Sequence, residues 1–149
     1  MSSQDIEKYR QAAEIYQGSA PCKKKSIELL EEMSLPKGIL PLDDMIEIGH
    51  NRSAGFIWIR QKKKYEHVFR KIGRKVLYEA EITGFIQNRR MWKITGVKTK
   101  ELLIWVSASE MYIEESAPEK LMVKGPAGLR MNFPVSAFEL EENKMEIKK

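Results

Sequence analysis

From Asp44 onward the apolar residues return at every second position. Val76, Tyr78, Ala80, Ile82, Gly84 and Ile86 alternate with Leu77, Glu79, Glu81, Thr83 and Phe85. A period of two sets each series on one face of a strand. Runs of the same kind occupy residues 55–60, 65–69, 91–97 and 102–106, with shorter ones at 110–114, 121–124 and 129–133. Polar or glycine-containing breaks at 61–64, 70–74, 87–90, 98–101 and 125–128 separate them. This spacing predicts a mainly β fold, an antiparallel meander that curls into a partly open, barrel-like sheet.

The N-terminal part has another rhythm. Ile6, Tyr9, Ala13 and Tyr16 recur at spacings of three and four, which predicts one helix reaching Tyr16. Gly18, Ser19 and Pro21 interrupt it, and Ile27, Leu30 and Met33 mark a second helix over 23–33. The run Leu35-Pro36-Lys37-Gly38-Ile39-Leu40-Pro41 cannot continue a helix and reads as a connector with apolar anchors. The expected organisation is one domain over 1–149, with a helical segment at 1–34 packed on a β domain at 35–138, and a charged tail at 139–149.

Composition excludes several classes. Cys22 is the single cysteine, so neither an internal disulfide nor a multi-cysteine zinc site can form. The longest apolar run, 102–106, is far short of a membrane span. Asp5, Glu7, Lys8, Arg10 and Glu14 break up the first twenty residues, which lack the apolar core of a secretory signal. A cytoplasmic monomer is the expectation.

The net charge of +5 is unevenly placed. Residues 60–75 hold eight cations against the single acid Glu66, which leaves the remainder slightly negative. A concentrated positive charge suggests an anionic partner. In a simple meander, consecutive turns point to opposite ends. Lys62, Lys63 and Lys64 would then share one end with Arg89 and Arg90. Arg70, Lys71, Arg74, Lys98 and Lys100 would share the other. Such a division argues against one nucleic-acid groove and for a basic rim around an apolar mouth, suited to an amphipathic anion. Trp58, Ile82, Phe85 and Trp92 are the candidate apolar lining.

Nucleotide-loop and metal signatures are missing. No G-x-G-x-x-G, G-x-x-x-x-G-K-[ST] or H-E-x-x-H occurs, and no cofactor or metal is expected. Ser53-Ala54-Gly55 forms half of a nucleophile elbow, but Asn51 replaces the first glycine and strand pattern follows where a helix should. Ser53 with His50 is the pair a hydrolase reading would use. Cys22, beside Lys23, Lys24 and Lys25, lacks a neighbouring base and reads as a helix-start residue.

Leu29-Leu30 followed by the connector at 35–41 resembles the "LL…GLPxGLLP" opening of the plant family called domain of unknown function 538. Later pieces follow in order: Ile82-Thr83-Gly84-Phe85-Ile86, Gly96-Val97-Lys98-Thr99-Lys100-Glu101-Leu102, Trp105, and Phe133-Pro134-Val135-Ser136-Ala137-Phe138-Glu139. The resemblance spans roughly residues 27–139. It implies a mainly β fold with a helical start, comparable in shape to the bactericidal/permeability-increasing type of lipid-binding protein. Lipid or amphiphile binding, a role in stress responses and an esterase-like activity are the functions it suggests. Gln61-Lys62-Lys63-Lys64 stands where family members often carry a "PSPC"-like turn.

The reading is therefore a non-enzymatic binding module for an amphipathic or anionic ligand, lipid first, with peripheral membrane contact compatible. Alternatives are an esterase-type hydrolase and a nucleic-acid or protein-interaction domain.

Overall fold

The computed structural model describes residues 2–140, so most of the charged tail expected at 139–149 lies outside the described residues. The elements are α1 (Ser2–Tyr9), β1 (Glu14–Gln17), α2 (Ser19–Glu32), β2 (Met45–Asn51), β3 (Phe56–Gln61), β4 (Tyr65–Phe69) and β5 (Arg74–Gln87). They continue with β6 (Arg90–Glu101), β7 (Ile104–Ser107), β8 (Glu110–Tyr112), β9 (Lys120–Lys124) and β10 (Arg130–Pro134). The fold is mainly β, with ten antiparallel strands in one open sheet among the described residues. Strand order is β1-β2-β3-β5-β6-β8-β9-β10, with β4 also paired to β5 and β7 also paired to β6.

The N-terminal helix is shorter than its spacing predicts. It ends at Tyr9, and Glu14–Gln17 instead pairs with β2 in the register Glu14↔His50 through Gln17↔Glu47. The ladder along an open sheet edge outweighs a weak local helical pattern. Helix α2 starts at Ser19, so Pro21 sits in its first turn, where no backbone donor is needed.

The break at 61–64 is not a reversal. Strand β3 lies on β5 from Phe56↔Phe85 to Arg60↔Glu81, and β4 continues along the same edge from Tyr65↔Tyr78 to Phe69↔Arg74. Together they run as one interrupted strand. On the far edge of the β5–β6 hairpin, β7 and β8 do the same, from Glu101↔Ile104 to Arg90↔Tyr112. The β5–β6 ladder shifts register between Tyr78 and Thr83, level with the break at 62–64. Interruptions of this kind bend a sheet. The curl brings β5 towards β10, where the Arg74 guanidinium lies 3.7 Å from the Met131 sulfur. Strand β6 also runs through 98–101, expected as a break, and turns at Leu102 and Leu103.

The sheet's two faces are both covered near its N-terminal edge. On the inner face Ile48, Ile57, Ile59, Ile82 and Ile86 form the main core with Cys22, Leu29 and Leu30 of α2. On the outer face Ile6 and Tyr9 of α1 cover Phe56 and Trp58. Trp58 is fully buried because Gly49, its cross-strand partner, leaves room. A Cβ at Gly49 would stand 2.1 Å from the indole ring.

Candidate functional site

The two basic segments expected at one rim stand apart. Lys62, Lys63 and Lys64 lie opposite the middle of β5, whereas Arg90 pairs with Gln87 at its end. Gln87 lies seven positions along the strand from Ala80, roughly 23 Å at about 3.3 Å per residue. The expected five-cation rim is replaced by two sites because β3 and β4 are collinear.

Those sites differ in electrostatics. Among the described residues Lys62, Lys63 and Lys64 are exposed and enter no ion pair. Arg89 pairs with Glu115 at 3.4 Å, and Arg90 with Glu110 at 2.8 Å. The Arg90 guanidinium also lies over the Trp92 ring, 5.2 Å from its centroid. A shallow open groove there, lined by Arg89, Arg90, Tyr112 and Lys124, carries Glu110 and Glu115 as well.

A more enclosed cleft lies beside the lysine segment. Its volume is about 180 Å³, and it is framed by α2, the connector, β4 and the chain after Phe138. Ile27, Leu40, Pro41, Phe69 and Leu140 supply apolar walls, with Lys23, Lys37, Asp43, Tyr65, His67 and Glu139 as the polar lining. The Tyr65 hydroxyl and His67 Nδ1 share a hydrogen bond of 3.0 Å. Lys62 is held near the lining residue Asp43, its backbone N–H donating to the carbonyl of the adjacent Asp44 at 3.1 Å. The lining acids are already engaged: Lys23 Nζ donates to Asp43 at 2.6 Å, and Lys71 pairs with Glu139 at 3.5 Å. Lys37 pairs with Glu31 at 3.4 Å. The lysine segment is thus uncompensated positive charge that adjoins, through Tyr65, a partly apolar cleft.

Sequence reasoning missed Lys23, Lys37, Tyr65 and His67, which come together only through long-range packing. A local signal was Gly38. Its N–H donates to the Phe138 carbonyl at 2.8 Å, and a Cβ there would stand 2.5 Å from that oxygen. Glycine therefore lets the C-terminal segment close one wall of the cleft.

The expected apolar lining divides between faces. Trp58 and Phe85 lie on the outer face, and Trp92 stacks on Phe85 with centroids 5.5 Å apart. Ile82 belongs to the inner core. Simple alternation places Trp92 with Ile94, but Lys93 at φ 51° sits in a register shift, and Ile94 turns into the core. The curled interior holds a void of only about 30 Å³ between residues such as Tyr78, Val97, Met111 and Phe133. That is roughly one water's share of liquid volume, so the inside of the curl is core.

Ser53 and His50 are not brought into contact. Ser53 is exposed on the β2–β3 turn, while His50 is buried and its Nδ1 has no hydrogen-bond partner. Burial, then Arg52 and Lys25, push the His50 pKa below its ordinary value. Cys22 is buried, its Sγ donates to the Tyr16 carbonyl at 3.3 Å, and burial pushes the thiol pKa up. Nearby, hydrogen bonds from Lys25 and Arg52 hold the Glu14 carboxyl down at about 2. Among the described residues no group of three or more His, Cys, Asp and Glu side chains is placed to hold a metal. No helix among them is long and apolar enough to cross a membrane.

The model of the protein family of unknown function DUF538 matches residues 26–139. The chain belongs to the DUF538 family. The match begins within α2, takes in β2 to β10, and ends at Glu139. The DUF538 portion therefore contains the lysine segment and most of the cleft, with Lys23 and Leu140 lying just outside the matched residues. No curated protein and no solved structure matches the chain.

Proposed function

We propose that this DUF538 protein is a non-catalytic binding module for an amphipathic anion, held at the cleft between α2, the connector and β4. The observation that carries this reading is the position of Lys62, Lys63 and Lys64. They are exposed and unpaired among the described residues, and directly precede Tyr65, which lines a cleft with Leu40, Pro41 and Phe69 in its walls. Apolar walls with a few convergent polar groups are the usual make-up of a ligand site. The volume of about 180 Å³ is below the roughly 300–1,000 Å³ that encloses a drug-sized ligand. The cleft suits a headgroup with the first part of an alkyl chain.

Titration calorimetry with octyl phosphate tests this, with octyl glucoside as the neutral control. Saturable binding of the phosphate is expected, weakening steeply as added salt screens the exposed lysines. The combined Lys62→Ala, Lys63→Ala, Lys64→Ala variant should bind about tenfold less tightly. Equal binding of the two amphiphiles, or an unaffected variant, overturns the reading.

A further inference from the structure

The β6–β7 hairpin ends in a feature that folding does not explain. Leu102 and Leu103 are 96% and 90% exposed, and Ile104 is 64% exposed. Single exposed apolar residues are ordinary, but three in a row at a projecting tip are not. The turn works against them as well. Leu102 sits at φ 57°, where glycine or asparagine is accommodated with little strain and leucine is not. A non-glycine residue held in that region, with its side chain in water, points to a role outside the fold.

The surroundings of the tip are cationic. The side chains of Arg74 and Glu101 meet, which places the β4–β5 turn and the β6–β7 tip at one end of the sheet. Residues 70–75 and 98–104 together hold six cations: Lys71, Arg74, Lys75 and Lys98 pair with Glu139, Glu101, Glu66 and Glu79, which leaves Arg70 and Lys100 without an ion pair among the described residues. Lys100 lies over the Trp105 ring, 5.1 Å from its centroid, and Arg70 is exposed without an ion pair among the described residues. From the end of the hairpin inward, the order is thus the apolar tip and then Trp105 beside its cross-strand partner Lys100. This order matches the acyl region, interface and charged headgroups of an anionic bilayer.

We propose that the β6–β7 hairpin is a membrane anchor, inserting Leu102, Leu103 and Ile104 into an anionic bilayer while Arg70 and Lys100 engage headgroups. The anchor stands on residues other than those of the cleft, so either can fail alone.

Co-sedimentation of the full chain with phosphatidylcholine vesicles, and with vesicles containing 30% phosphatidylserine, is the test. Leu102→Gly with Leu103→Asn puts glycine at the positive-φ position of this two-residue turn, so its melting temperature should hold or rise. Its partition onto the phosphatidylserine vesicles should fall at least about tenfold. Arg70→Ala with Lys100→Ala should weaken binding to these vesicles several-fold and leave the weaker binding to phosphatidylcholine unchanged. Part of the wild-type binding should survive 0.5 M salt, because inserted leucines are not screened. Lack of wild-type binding overturns the anchor, as does equal partition by the tip variant. Wild-type dimers that the tip variant converts to monomers without a change in vesicle binding also overturn it, assigning the tip to a second copy. Vesicle binding without octyl phosphate binding removes the cleft and keeps the anchor. The reverse removes the anchor alone.

Discussion

Two basic segments that look alike in the sequence, 62–64 and 89–90, have opposite physical standing. Arg89 and Arg90 belong to a tight hairpin turn, and each has a carboxylate partner, Arg90 from the ladder and Arg89 from the turn after β8. The Arg90↔Tyr112 register sets Glu110 diagonally across from Arg90, and Glu115 reaches Arg89. The turn backbone is tied down too: the Arg89 N–H donates to the Met33 carbonyl at 2.6 Å, and the Ile113 N–H to the Arg89 carbonyl at 2.9 Å. Lys62, Lys63 and Lys64 stand outside both ladders, in the gap between β3 and β4, and so lack cross-strand neighbours to neutralise them. Counting charges does not separate structure from function here. Whether a register places an acid opposite the cation does.

The comparison is most severely tested at its paired extreme, Glu47. This carboxylate is 3% exposed and accepts hydrogen bonds from Arg10 at 2.5 Å, Trp58 at 3.2 Å and Arg60 at 3.4 Å. Burial alone would raise its pKa, but hydrogen bonds from Arg10, Trp58 and Gln17 outweigh that and hold it below the ordinary carboxylate value. Glu47→Ala leaves a buried indole N–H unsatisfied and two guanidiniums without their shared partner. Because both arginines keep about a third of their side-chain exposure, the expected loss is roughly 2–3 kcal/mol in urea unfolding. A loss below about 0.5 kcal/mol, typical of a neutral surface site, would show that pairing is not what distinguishes the two kinds of charge.

At the other extreme, removing all three lysines should leave stability within about 0.5 kcal/mol, since no folded-state partner is lost, while octyl phosphate affinity falls about tenfold. A large drop in stability would place these lysines with the structural charges.

The pH dependence of stability separates the same two groups. The His50 pKa lies below its ordinary 6.5, lowered by burial, then by Arg52 and Lys25, against the opposing pull of Glu14 and Glu32. The unfolded chain therefore takes up this proton first, so stability is full above about pH 7 and declines as pH falls through 6.5 towards the folded value. Glu14, near 2, Glu32 and Glu47, all lowered, add a second decline below their ordinary 4.5. His50→Asn should flatten the first decline and leave the second, as followed by urea midpoints from pH 8 to 3. A first decline that persists in His50→Asn would assign it to another group.

Much of this architecture is legible in local pattern, and the exceptions share a cause. Strand β4 has the bounds its alternation predicts, and β5 and β6 lie where the apolar period places them. Glu14–Gln17 is read as helix because helical spacing is local, whereas its pairing with β2 joins residues thirty or more positions apart. The collinearity of β3 and β4 is invisible for a similar reason. A polar break looks the same whether the chain reverses or continues, and only the register on β5 decides. The shift at Lys93 puts Trp92 and Ile94 on opposite faces, against their even spacing. For the site, Lys62–Lys64 is readable as charge, but the cleft beside it needs α2 and the connector folded against β4.

The smallest expected effects belong to the arginine turn, and they make the comparison sharp. Both side chains are over a third exposed in their ion pairs, where such pairs contribute about 0–1 kcal/mol. Arg90→Ala should cost more than Arg89→Ala, because Arg90 also covers the half-buried Trp92 ring. Exposed cation–π contacts add about 0.5–1 kcal/mol. A double cycle of Arg90→Ala with Glu110→Gln isolates the ion pair from the ring contact. A coupling near zero would assign the stabilisation by Arg90 to Trp92. Octyl phosphate affinity should stay within about twofold in both single variants, since these charges are compensated and lie some 23 Å along the strand from the lysine segment. Were Arg89→Ala or Arg90→Ala to weaken ligand binding as much as the lysine variant does, pairing would not be what distinguishes the two segments, and the ligand would have to reach from one to the other.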